Sequence, residues 1–202
     1  MILGSTRNAS PPWGGPKRLG DRVAKFLLKR LKERKSATHE IDYVDLLEVK
    51  MPLMEQPHHW YAPGTAPKWL EDLAARVSAA DCYLLISPEY NHSMGPALAN
   101  FLNHFGGKNY AYKPSAIAVY SGGPYGGVRA AMQLRALTGE LGCLSVSAIF
   151  AGPAVQNSLD EEGNPVAPNG PLLETQANNM FKQLEWMADA MKKQRDTVGV
   201  PA

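Results

Sequence analysis

Three short segments gather the residue types that handle anions and flat polar ligands. Gly4-Ser5-Thr6-Arg7-Asn8-Ala9-Ser10 sets hydroxyls and a guanidinium just ahead of a helical stretch. Unpaired N–H groups at a helix start and the helix dipole both favour negative charge, and a guanidinium adds a planar fork of donors for a phosphate. The same residues would serve equally as a Ser/Thr turn that caps a helix. Ser87-Pro88-Glu89-Tyr90-Asn91-His92-Ser93-Met94-Gly95-Pro96 and Ser121-Gly122-Gly123-Pro124-Tyr125-Gly126-Gly127-Val128-Arg129 are rich in turn residues and glycine. Glycines there let a backbone approach a planar heterocycle and offer N–H and C=O to its edge. One such loop says little, whereas three at neighbouring strand ends describe a phosphate site beside a site for a flat ring system.

Other chemistries fit poorly. His58-His59, His92 and His104 have no metal-ligand spacing, and no cysteine pair joins them. Cys82 and Cys143 are too few for a disulfide framework and read as inert core. The nucleotide and nucleophile signatures G-x-x-x-x-G-K-[ST], G-x-G-x-x-G and G-x-S-x-G do not occur.

The elements that must position these loops follow an alternation of apolar runs and helical periods, the pattern of a parallel sheet with helices on both faces. Strands are expected at Met1–Gly4, Glu40–Asp45, Asp81–Ser87, Ser115–Tyr120 and Leu144–Phe150. The third and fourth lack polar alternation, as strands covered on both faces do. Helical stripes run through Val23, Phe26, Leu27 and Leu31; Trp69, Leu70, Leu73 and Val77; Met94, Leu98, Phe101, Leu102 and Phe105; Leu134, Leu137 and Leu141; and Leu173 to Met191. The arrangement expected is one domain over 1–202, an α/β three-layer, doubly wound five-stranded parallel sheet in the order 2-1-3-4-5, with ligands beyond the carboxyl ends of the strands. The first strand has only Met1 to Gly4 to build it; either it is short or residues precede Met1. Asn8–Gly20, Met51–Pro67 and Gly152–Pro171 are expected as long loops.

The 202 residues are 45% hydrophobic and carry a net charge of +2, which excludes a disordered chain and gives no general attraction to nucleic acid. No uncharged run is apolar enough for a membrane span, and no signal peptide is recognisable, so a cytoplasmic protein is expected. Charge is uneven, with +7 over residues 17–35 and −5 over the rest. This is either the solvated face of a helix or a field that steers phosphate-bearing ligands.

Gly4-Ser5-x-Arg7-x-x-Ser10, Pro88-Glu89-Tyr90-Asn91-x-Ser93, and Ser121-Gly122-Gly123 through Gly126-Gly127-x-Arg129-Ala130 resemble the NAD(P)H-dependent FMN reductases of flavodoxin-like fold. Leu134-Arg135-x-Leu137 to Leu141-Gly142 and Asp160-Glu161-x-Gly163 fit as well. The resemblance covers nearly the whole chain and implies non-covalent FMN. Ser5, Thr6, Arg7 and Ser10 would hold its phosphate; Pro88, Glu89, Tyr90 and Asn91 would line one edge of the isoalloxazine, and Ser121, Gly122 and Gly123 another. It further implies hydride transfer from NAD(P)H to the flavin, then two electrons to a quinone, an azo compound or free flavin by a ping-pong route. A homodimer or homotetramer would complete the pockets. Glu89 is expected to face a neighbouring loop or subunit rather than to act as a base. An electron carrier of flavodoxin type is the alternative, and the basic pI of about 8.5 weighs against it.

Two departures from the family pattern stand out. Pro12 occupies a place that is often Asn, and Trp13 to Gly20 are extra, which makes Arg18 a rival to Ser10 as phosphate ligand. Ala99 and Asn103 replace a Lys and an Asp on one helix face, so altered packing with unchanged chemistry is expected there. His58-His59-Trp60-Tyr61 would either overhang the ligand or form a surface cluster or subunit contact. Phe101, Phe105, Trp60, Tyr61, Tyr110 and Tyr112 could supply a subunit contact, with core burial an equal explanation for the two Phe.

Overall fold

The computed structural model describes residues 1–9, 12, 18–34 and 40–201. Six strands and eight α-helices are formed among them: β1 (Ile2–Leu3), α1 (Leu19–Glu33), β2 (Val44–Asp45), α2 (Leu46–Val49), α3 (Lys68–Ala79), β3 (Tyr83–Tyr90), β4 (Ser93–Met94), α4 (Pro96–Asn103), α5 (Gly107–Tyr110), β5 (Pro114–Tyr120), α6 (Val128–Glu140), β6 (Leu144–Gly152), α7 (Val155–Ser158) and α8 (Gly170–Val198). The parallel order is β2-β1-β3-β5-β6, which is the expected five-strand order, and β4 is an antiparallel addition to β3.

Side-chain alternation divides the core into two layers. Leu3, Leu84, Ile86, Ala116, Ala118 and Tyr120 pack towards Val23, Phe26 and Leu27 of α1 and Leu173, Met180 and Phe181 of α8. Ile2, Leu85, Ile117 and Val119 face Leu70, Leu73 and Val77 of α3, Leu98 and Phe101 of α4, and Leu134 of α6. Each such Leu or Phe contributes about 1.5–3 kcal/mol through burial.

The central strand β1 is two residues long. β2 is cut to the same length because only Ile2 and Leu3 offer partners, to Val44 and Asp45; the expected strand over Glu40–Asp45 therefore shrinks to its end. The third strand runs on past Ser87 to Tyr90 and turns back through Asn91 and His92, both at positive φ, into Ser93 and Met94. That is a two-residue hairpin, whose strand twist favours left-handed conformations at both turn positions. Met94 thus belongs to a strand, and α4 begins only at Pro96. Phe101, Phe105 and Tyr110 are core, each 2% exposed or less, so core burial and not subunit contact accounts for them.

Most of the basic side chains of α1 and its carboxyl cap are engaged within the fold rather than left bare. Arg22 donates to the carbonyls of Gln156 and Leu159, Lys25 to that of Glu161, and Lys29 to Asn164 Oδ1. Arg30 pairs with Glu174 at 2.8 Å and Arg34 with Glu185, both on α8. α1 thereby anchors the 153–165 segment beyond β6. Among the described residues no helix is long and apolar enough to cross a membrane.

Candidate functional site

The loops after β1, β3 and β5 meet at one end of the sheet, beyond the carboxyl ends of three adjacent strands. Gly4 N–H closes β1 onto Ile86 O at 2.8 Å, and the chain then leaves the sheet at Ser5, which is 2% exposed, and emerges at Thr6 and Arg7. The Arg7 guanidinium lies over the Tyr90 ring, 4.5 Å from its centroid, and so ties the first loop to the hairpin. A Cβ on Gly20 would sit 2.6 Å from Tyr120 Oη and 3.0 Å from Ser5 Cβ. Only glycine lets α1 approach that closely, and this brings Tyr120 at the end of β5 against Ser5. Burial pushes the Tyr120 phenol well above its ordinary pKa, so it stays protonated.

Glu89 has a structural partner forty residues ahead. Its Oε2 accepts from Arg129 N–H at 3.0 Å and Ala130 N–H at 3.1 Å, the second and third residues of α6, and Arg129 Nη1 stands 3.8 Å from Oε1. A carboxylate there satisfies orphan donors and complements the helix dipole. This fixes the hairpin to the glycine-rich loop and agrees with the expectation that Glu89 faces a neighbouring loop.

The donor set can be read from where the carbonyls go. In a trans peptide, the C=O of one residue and the N–H of the next point to opposite sides. Ser121 O accepts from Val155 N–H at 3.1 Å, Gly122 O from Gln156 Nε2 at 2.9 Å, and Gly123 O from Ala154 N–H at 2.8 Å. Ser5 O accepts from Arg18 Nη2. With these carbonyls tied inward, the N–H groups of Thr6, Gly122 and Gly123 face outward, and none of the three meets a protein acceptor among the described residues.

Gly122 and Gly123 also have no internal reason to be glycine. Neither has a positive φ. A Cβ on Gly122 would find Gln156 Oε1 at 3.5 Å and Leu19 Cδ1 at 3.9 Å, and one on Gly123 only Ser121 Oγ at 3.9 Å. The fold would accept side chains at both positions. Outward N–H donors, the Thr6 hydroxyl, the Arg7 guanidinium and two bare glycines at the rim fit an anion joined to a flat ring, which is the chemistry of FMN.

Ser5, Thr6, Arg7, Pro88, Glu89, Tyr90, Asn91, Ser121, Gly122 and Gly123 all lie at this end of the sheet, and Asn91 forms the exposed hairpin turn. Ser10 and Trp13 to Lys17 lie outside the described residues. Arg18, the rival ligand, is turned inward: it is 8% exposed and pairs with Asp45 at 2.6 Å and Asp21 at 2.8 Å. His58 to Trp60 stand away from the site, because His58 N–H donates to His104 O just past the carboxyl end of α4, whereas the site lies at its amino end. Ala99 and Asn103 are joined within α4, Asn103 Nδ2 donating to Ala99 O at 2.7 Å. Sequence reasoning missed Gln156, which holds the Gly122 carbonyl. It lies just past the end of β6, and a search of the segment after the last strand, on the same rule used for the other three, reaches it.

The strand order and the three loops beyond one end of the sheet define a flavodoxin-like protein. Comparison with known proteins gives the family: residues 1–156 match the model of the NADPH-dependent FMN reductases, and the chain belongs to that family. It is 32% identical over 146 residues to a probable NADPH:quinone oxidoreductase 1 of Oryza sativa subsp. japonica, covering 71% of this chain and 70% of that protein. It is 31% identical over 110 residues to a quinone reductase of Escherichia coli K12, 52% of this chain and 58% of that one. Among solved structures it resembles FerB, a flavoenzyme NAD(P)H:(acceptor) oxidoreductase from Paracoccus denitrificans, with a TM-score of 0.63 and 20% identity over 95% of each chain. This likeness is one of fold. The protein is an NAD(P)H-dependent oxidoreductase with FMN as cofactor.

Proposed function

We propose that the chain is one FMN-binding domain over 1–202 that reduces quinones, azo compounds or free flavins at the expense of NAD(P)H in a ping-pong cycle. When bound, FMN supplies the two-electron chemistry, accepting hydride from the nicotinamide and passing the electrons to the second substrate. The residues bind and orient it. Ser5 and Thr6 hydroxyls, the Thr6 N–H and Arg7 would hold the phosphate, with Ser10 added by the family resemblance. Pro88 to Asn91 would line one edge of the ring system. Ser121, Gly122 and Gly123 would line the other, their outward N–H groups placed to stabilise negative charge that develops on the reduced ring without reorganising. Glu89 keeps these two edges in register from the α6 terminus. No side chain is needed as a base, because hydride transfer leaves no substrate proton to remove.

The single observation that carries this reading is the pair Gly122 and Gly123, glycine for no reason internal to the fold. The same reading places the enzyme in the cytoplasm as a homodimer or homotetramer, with the exposed Leu53 and Trp60 available for contact. The test is to reconstitute the purified protein with FMN and mix it anaerobically with NADPH. Rapid bleaching of the visible flavin band, followed by parallel double-reciprocal plots with a quinone, is the expected result. A protein that takes up no FMN overturns the reading, and intersecting plots overturn its ping-pong part.

A further inference from the structure

We infer that Arg18 is a positioning residue that selects FMN over flavins lacking a phosphate, by fixing which way one peptide of the phosphate loop faces. This rests on the FMN reading above. Arg18 sits at the cap of α1, outside all three loops that carry the family resemblance. Its guanidinium is buried and forks three ways: Nη1 to Asp21 Oδ1 at 2.8 Å and Asp45 Oδ2 at 2.7 Å, Nη2 to Asp45 Oδ1 at 2.6 Å and to the Ser5 carbonyl. Asp45 is itself held, since its Oδ1 accepts the Leu47 N–H at 2.9 Å and caps α2. The end of β2, the start of α1 and the loop after β1 are therefore locked through one planar group.

The consequence for the ligand comes from peptide geometry. Pulling the Ser5 carbonyl towards the buried guanidinium turns the Thr6 N–H to the opposite side, away from the core. Arg18 thus orients a donor without presenting any of its own charge, which Asp45 and Asp21 offset. A lysine could hold either the Ser5 carbonyl or Asp45 firmly but lacks the planar fork to hold both.

The test compares FMN with riboflavin, which shares the ring and ribityl chain and lacks the phosphate. Dissociation constants for both are measured by flavin fluorescence quenching on the wild type, Arg18→Lys, Arg18→Met and the double variant Arg18→Met/Asp45→Asn. The double variant avoids a buried unpaired carboxylate, keeps the α2 cap and leaves the net charge of the pair unchanged. Loss of one oriented, charge-assisted donor predicts FMN binding about 10- to 100-fold weaker in both Met variants, with riboflavin binding held within about threefold. Arg18→Lys should fall between. Equal weakening of FMN and riboflavin would reduce Arg18 to a general structural part and overturn the inference. So would unchanged FMN binding in the double variant. A loss seen in Arg18→Met but restored in the double variant would assign the effect to Asp45's charge and also overturn it. A wild type that binds riboflavin as tightly as FMN refutes phosphate selection alone, whereas one that binds neither refutes the FMN reading itself.

Discussion

The two ends of the sheet treat polar groups in opposite ways. At the amino end, a cleft of about 620 Å³ lies between α3, α8 and the starts of β1 to β3, and several of the charges on its rim are paired. Asp81 accepts from Lys192 at 2.9 Å and from Arg195 at 2.8 Å, and Asp42 accepts from Arg76. Below it, buried Lys113 spends its ammonium on Ser78 O at 2.5 Å, Asn109 O at 3.1 Å and Tyr83 Oη at 3.3 Å. At the carboxyl end, carbonyls are tied inward and N–H groups are left facing out. Polar groups at one end bond within the fold, and at the other the N–H groups of Thr6, Gly122 and Gly123 meet no acceptor among the described residues. A cavity by itself does not mark the working end.

This contrast can be broken in order of expected effect. Lys113→Met should cost about 1–3 kcal/mol in urea unfolding, because it removes the ammonium donor to Ser78 O and leaves one Tyr83 hydroxyl proton to serve both Val77 O and Asn109 O, and should leave the FMN dissociation constant unchanged. A large loss of FMN affinity at unchanged stability would erase the distinction between the two ends. Glu89→Ala should cost about 1–2 kcal/mol by removing the acceptor for two α6 donors. It should also weaken FMN several-fold, since the hairpin and the glycine loop would no longer be tied; Glu89→Gln, which keeps an acceptor, should do less on both counts.

The smallest effect concerns acid. Burial alone would raise the Asp45 pKa, but hydrogen bonds from Arg18 and the Leu47 N–H more than reverse this and hold it below the usual carboxylate value. A depressed folded pKa contributes stability that is present above the unfolded value, near 3.9, and is lost as pH falls through the folded one. Wild type should therefore be more stable than Asp45→Asn at neutral pH, and the two should converge as pH drops below that window in a denaturation series. A gap that is constant with pH would remove the ionised pair from the account.

How much could be read from the sequence depended on range. The apolar runs of β3 and β5 and the stripes of α1 and α8 signal themselves locally, and with them the strand order and the loops that carry the site. The hairpin was hidden because Pro88 and the polar Glu89 interrupt the apolar pattern, and a two-residue return strand has no period to detect. Glu89 on α6 and Arg18 on Ser5 and Asp45 join residues 13 to 41 positions apart. Residue type alone made Arg18 a rival phosphate ligand, and only the Arg18 side chain reaching Asp45 across the fold decided otherwise.

The most direct measurement is Gly123→Ala, read for stability and FMN affinity on the same sample. The backbone there has an ordinary φ and the new methyl would meet only Ser121 Oγ at 3.9 Å. Stability should hold or rise by about 0.4–1 kcal/mol as the unfolded chain loses freedom, while FMN binding weakens by tenfold or more as the methyl enters the ring's place, about 1.4 kcal/mol or above. A variant that binds FMN as tightly as the wild type would contradict the claim that this glycine exists for a ligand.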